Sequence, residues 1–320
     1  MKSKFSRRLP AFLASGALLC TLSPLLAEEA ADKKDRKVVA DPAANTFYAE
    51  KIRTWQEERV QGLKQEDGWL TLVGLFWLDE GENPFGTDPG NKVIFPEGKG
   101  PAVAGTLIRQ GTTVRVKAAP GSGLTADGKP VTEMELASDA TEKVTVLELG
   151  SLSFFPIQRG DRIGVRIKDK QSPQLAHFKG LDFYPVQTAW RVEARFEPYN
   201  PPKKVAIPNV LGQVTDSDSP GALVFERDGQ TWRLDTLGSV KDGLSLIFAD
   251  ATNGHETYGA GRFLEIEGQP KDGRIVVDFN TAYNPPCAYT AFATCPLPPA
   301  QNKLALKVEA GEKKFGDGHH

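Results

Sequence analysis

Two aspartates in the second half of the chain sit where apolar residues are expected. Asp250 lies in Phe248-Ala249-Asp250-Ala251-Thr252, and Asp278 opens Asp278-Phe279-Asn280. Alternate side chains of a strand share a face. A two-residue turn at Asn253-Gly254 would set Thr252 opposite His255 and Asp250 opposite Thr257. A loop over 268–273 would then set Phe263 opposite Asp278. That register gathers Asp250, Thr252, Thr257, Asp278 and Asn280 on one face with Leu246, Phe248 and Val276. Two carboxylates on such a face are costly unless a cation, an arginine or a ligand compensates them. Arg262 is the internal choice. The simple register points it to the opposite face, and a bulge at Gly259-Ala260-Gly261 would re-aim it. Three readings follow. The charges form a structural ion-pair network; they bind a small molecule; or Asp250 and Asp278 act as general acid and base of a hydrolase.

The segment after Asp278 runs through Tyr283-Asn284-Pro285-Pro286-Cys287-Ala288-Tyr289 to Cys295-Pro296-Leu297-Pro298-Pro299. Its prolines stiffen a long loop at low entropic cost. Tyr258, Tyr283 and Asn284 offer hydroxyl and amide groups for the mouth of a small-ligand pocket, or for a well-tied structural cap. Cys287 and Cys295 are read first as a disulfide candidate, contributing roughly 2–3 kcal/mol by loop entropy. They are also read as unpaired structural cysteines, ahead of a catalytic thiol. No metal or other cofactor is expected, because the chain has four His and no Cys-x-x-Cys spacing. Gly-x-Gly-x-x-Gly, Walker and Gly-x-Ser-x-Gly motifs are absent from the sequence.

The elements that must position these groups are mostly strands. Thirty-one Gly and 23 Pro in 320 residues suit a turn-rich β protein. The expected fold is mostly β: an N-terminal helix within 45–74, a small β-sandwich over 75–169, and a second antiparallel β barrel or sandwich over 170–315. A tail follows at 316–320. Asp127-Gly128 and Asp228-Gly229 mark hairpins, as does Asn253-Gly254. Trp69 to Trp77 is an apolar run that periodicity leaves open between helix and strand.

Residues 1–27 read as a signal peptide. Lys2, Lys4, Arg7 and Arg8 precede an uncharged stretch that ends at Leu25-Leu26-Ala27. Cleavage there is preferred over a retained anchor, and over lipidation at Cys20, because Leu19 is not the small residue a lipobox wants. Residues 28–44 then form a tether. The expected location is periplasmic or extracellular, which permits a disulfide. The whole chain carries a net charge of −2, and loss of residues 1–27 makes the remainder more acidic. That balance excludes a globally basic nucleic-acid binder. No later stretch is apolar enough to span a bilayer as a helix. The expected partner is a small molecule.

Two resemblances add to this. Asn83-Pro84-Phe85-Gly86-Thr87, Lys92-Val93-Ile94-Phe95-Pro96, Ser122 to Lys129 and Leu147-Glu148-Leu149-Gly150 resemble a forkhead-associated domain over residues 75–168. That family reads phosphothreonine with an Arg after the first Gly and with a Ser-x-x-His pair. Here Thr87 follows Gly86, and residues 91–110 hold neither Ser nor His. The resemblance therefore implies a sandwich without phosphopeptide binding. Phe248 to Thr252, Thr257-Tyr258-Gly259-Ala260-Gly261-Arg262, Asp278-Phe279-Asn280, Tyr283 to Tyr289, Cys295 to Pro299 and Trp69 to Leu75 are similar to a bacterial family called domain of unknown function 1684. This likeness spans roughly residues 50–315 and implies no catalytic role.

Overall fold

The computed structural model describes residues 42–316. The expected signal peptide with Cys20, residues 28–41 of the expected tether, and the last four residues of the tail lie outside them; residues 42–44 begin the helix and are not tether. A helix spans Pro42–Leu63. The ambiguous apolar run resolves as a 3-10 turn, Trp69–Thr71, followed by strand Leu72–Trp77.

Two sheets then face each other as a sandwich. One has six strands, in the order Leu72–Trp77, Arg162–Asp169, Leu152–Arg159, Leu147–Leu149, Thr125–Ala126, Lys129–Pro130. The other has five, in the order Val93–Ile94, Gly81–Gly86, Gly105–Gln110, Thr113–Ala118, Glu133–Leu136. Their inner faces bury one core, with Phe85, Phe95 and Phe154 packed at centroid distances of 5.1–5.6 Å in tilted geometry. Asp127 and Gly128, with φ of 47° and 71°, form the expected two-residue turn.

The second β region curls two sheets around another core. Four strands run in the order Gln230–Asp235, Val214–Arg227, Arg191–Pro208, Arg274–Asp278. Three more run Leu237–Ser239, Gly243–Phe248, Arg262–Ile266. Phe279 is the hub, with Trp190, Phe225 and Phe248 at 5.6–6.0 Å. The prolines at 198, 201 and 202 do not end the strand that begins at Arg191; a register shift between Pro198 and Lys203 absorbs them. Asp228-Gly229 closes its hairpin as expected.

The Asn253-Gly254 hairpin does not form. Strand Gly243–Phe248 pairs with Arg262–Ile266, placing Phe248 opposite Arg262 and Leu244 opposite Ile266. Local side chains and a distant segment compete for the backbone. Asp250 accepts from the Thr252 amide at 2.8 Å, and the amides of residues 255–257 all turn back to the Thr252 carbonyl. Ala249 and Ala251 instead donate to the carbonyls of Asn302 and Leu306, at 3.0 and 2.9 Å. The pairing differs from the expected register by an odd number of residues, which flips Arg262 to the face of Phe248. No bulge is needed. Gly261 is still required, because at φ +97° an added Cβ would lie 2.7 Å from the Phe248 carbonyl and 2.4 Å from the Pro298 ring.

The second expected hairpin also fails. Strand Arg274–Asp278 pairs with Arg191–Pro208, not with Arg262–Ile266, and Phe263 exchanges backbone hydrogen bonds with Tyr283.

Candidate functional site

The predicted constellation separates into distinct clusters. Asp250 and Arg262 form an ion pair, Nη2 to Oδ2 at 2.7 Å, with both side chains wholly buried. Arg262 also donates to the carbonyls of Val308, at 2.9 Å, and Ala310. Asp250 Oδ1 accepts from Thr252 N, Thr252 Oγ1 and Val308 N. Thr252 bonds on to Thr257 at 2.8 Å. The pair ties the 249–261 loop to the C-terminal segment, and nothing of it is open to a ligand.

Asp278 is elsewhere. It ends a strand of the four-stranded sheet, and both its oxygens accept from Tyr48 of the N-terminal helix at 2.8 Å. Asn280 bonds to Asp278, to Tyr48 and to the backbone of Gln187. Burial first, then the Asp278 carboxylate, pushes the Tyr48 phenol well above its ordinary value, so it stays a donor. Asp250 and Asp278 share no hydrogen-bonding partner; Asp250 lies in the loop after strand Gly243–Phe248, and Asp278 ends strand Arg274–Asp278. This corrects the acid–base pairing: one member is sealed, and the other clamps a helix.

Asn284 and Tyr283 belong to a third cluster that the sequence reading missed. Glu312 is fully buried and accepts from Asn284 N at 3.2 Å, Asn284 Nδ2 at 2.9 Å, Tyr289 Oη, and Arg59 Nε at 3.4 Å. Arg59 stacks over the Tyr283 ring at 4.7 Å. Burial raises the Glu312 carboxyl above the usual carboxylate range despite these donors. Arg59 and Glu312 are 253 positions apart, and no local spacing links them.

Tyr258, Cys287 and Cys295 do converge. They pack with Trp69 and Ala293 beneath the Pro-rich loop. Tyr258 Oη donates to the Cys287 carbonyl at 3.0 Å, and the Cys287 amide donates to Cys295 Sγ at 3.2 Å. Both cysteines are buried and free, so the structure does not contain the expected disulfide. The Cys295 thiol and the Tyr258 hydroxyl lower the Cys287 pKa, while the neighbouring thiol and burial raise that of Cys295.

This cluster lies against the outer face of the six-stranded sheet. Arg159 Nε donates to Thr294 at 2.8 Å, and Thr290 reaches the Leu72 carbonyl at 3.4 Å. On that face strand Arg162–Asp169 presents Arg162, Gly164, Arg166 and Lys168, while Ile163, Val165 and Ile167 enter the core. Arg166 is 5% exposed, lies over Trp69 at 5.2 Å, and among the described residues makes no hydrogen bond or ion pair; its Nε is sealed and orphaned. The period-two alternation of cations with Ile and Val was the signal that could have found it. Among the described residues no cluster of His, Cys, Asp and Glu fits a metal ion, and no helix is long and apolar enough to cross a membrane. An open cavity of about 580 Å³ sits at the loop end of the sandwich, lined by 117–125 and 130–133, and includes none of the predicted residues.

Comparison with known proteins gives a family. Residues 176–313 match the model described as protein of unknown function (DUF1684). The solution NMR structure of an uncharacterized protein from Haloarcula marismortui is similar at 30% identity, over 46% of this chain and 82% of that one, with a TM-score of 0.38. No curated protein matches. By that family model, residues 176–313 of this chain belong to the DUF1684 family.

Proposed function

We propose that this is an exported protein that binds a small molecule where the Pro-rich loop of the second β region meets the outer sheet of the sandwich. Tyr258, Cys287 and Cys295 face Trp69 and Arg166 there. One contrast carries the reading. The charged groups at the centre of the second region are bonded to one another, whereas Arg166 is buried with no acceptor. A protein interior keeps an uncompensated charge at a cost, and such groups gather at functional sites. The loop's prolines hold the cluster in place without a ligand, which limits the ordering cost of binding.

In an oxidising compartment Cys287 and Cys295 close into a disulfide. The Cys295 sulfur already lies against the Cys287 amide, at 3.2 Å, which supports this. The test of function is a thermal-shift screen of the purified chain against neutral and charged metabolites. A saturable rise in melting temperature that Trp69→Leu abolishes, in a variant that still folds, is the expected result. A flat response across the panel would favour the second reading, a structural envelope module, for which the sealed Asp250–Arg262 pair is the supporting observation.

A further inference from the structure

We infer that Arg166 anchors a small oxyanion, a carboxylate or phosphate group, on the outer face of the six-stranded sheet. This rests on the seam being a ligand site. It adds the chemical class of the ligand, from the electrostatics of that face.

The outer face is crowded with cations. Arg159 is satisfied, because Asp139 takes its guanidinium at 2.9 and 3.1 Å and Thr294 takes its Nε. Arg162 lies over the Trp77 ring at 3.9 Å. Lys168 donates to the backbone carbonyl of Asp67. Arg166 alone is both buried and unbonded. Neither of its terminal nitrogens makes a hydrogen bond, and neither is sealed as Nε is, so they remain reachable. Asp139 and Cys295 offset the Arg166 charge only from a distance, and among the described residues no acceptor bonds it. Both oxygens of Asp139 are spent on Arg159, and Cys295 is held as a neutral thiol. Burial, then Arg159, presses the Arg166 pKa down to about 10, which still leaves it cationic at neutral pH. Burial and Arg166 lower Lys168 as well, so the two cations repel.

The geometry favours an oxyanion. The terminal N–H groups of Arg166 are unbonded, and a planar guanidinium fork matches the two oxygens of a carboxylate or phosphate. The Trp69 ring lies beside it, 5.2 Å from the guanidinium carbon to the ring centroid. Around it Thr290 and Thr294 fasten the Pro-rich loop to the sheet, and Gln213 reaches the Arg159 carbonyl at 3.1 Å.

The experiment titrates the full chain with sodium phosphate, sulfate or acetate against sodium chloride at matched ionic strength, reading the melting temperature and the heat of binding. At least one oxyanion is expected to give a saturable shift. Arg166→Lys should weaken it by roughly tenfold, since an ammonium lacks the fork. Arg166→Met should abolish it and melt higher than the parent in chloride, because an unpaired buried cation has been replaced by an apolar chain. An Arg166→Met variant that melts lower, with oxyanions acting equally on both proteins, overturns the inference. If a neutral metabolite shifts both proteins while no oxyanion does, the ligand site stands and only its chemical class is wrong. If nothing shifts the parent, both fail.

Discussion

Removing one partner of the sealed Asp250–Arg262 pair should be among the most damaging single changes in the second β region. Asp250→Ala leaves the Arg262 charge out of water with only the carbonyls of Val308 and Ala310, and orphans the amides of Thr252 and Val308. Breaking a buried pair from one side costs about 3–5 kcal/mol, and each orphaned donor about 1–3 kcal/mol before relaxation. These terms overlap, so about 4 kcal/mol is expected. At about 2–4 °C per kcal/mol for a domain of this class, the melting temperature should drop by about 8–16 °C. Urea denaturation of the purified chain measures the free energy directly, with the slope checked for constancy. The control is Asp250→Leu with Arg262→Met. Removing both charges should recover most of the loss, because buried pairs are close to neutral against apolar replacements. A single variant within about 1 kcal/mol of the parent, or a double variant worse than the single, would refute the claim that the pair is sealed and mutually dependent.

Other outcomes follow from the same contacts. Glu312 has its pKa raised in the fold, so its favourable contribution is complete below its unfolded value of about 4.5 and is lost as pH rises through the folded value. Glu312→Gln should flatten that decline in urea denaturation profiles, and a profile identical to the parent would contradict it. Gly261→Ala should lower the melting temperature by several degrees, since its Cβ would meet Pro298 and the Phe248 carbonyl; an unchanged melt would mean the loop yields freely. Tyr48→Phe, which removes the single donor shared by both Asp278 oxygens, should cost about 1–2 kcal/mol and loosen the N-terminal helix, seen as faster amide exchange over residues 45–63. Thiol titration of chain recovered after export should find no free thiol at Cys287 or Cys295, and two free thiols would remove the proposed disulfide.

Local signals carried far in this chain. Asp127-Gly128 and Asp228-Gly229 sit in two-residue turns because both positions need positive φ, which these residue types tolerate. Asn253-Gly254 offers the same dipeptide and fails, because Asp250 and the 302–306 backbone claim the groups a hairpin would pair. That failure misplaced Arg262 by one face and joined Asp278 to a cluster it never meets. Arg59 and Glu312 went unnoticed because their pairing depends on a helix and a C-terminal segment meeting in space.

By itself the sequence determined that the chain is mostly β, that a helix precedes the sandwich, that the Pro-rich loop is stiff, and that Asp250 needs a compensating cation. Each of these follows from alternation, turn chemistry or the cost of burying charge, which act over a few residues. Only the tertiary structure decided that Arg262 is that cation and that Arg166 is left without an acceptor. Charge compensation depends on which distant groups the packing brings within about 4 Å, and no spacing along the chain encodes that.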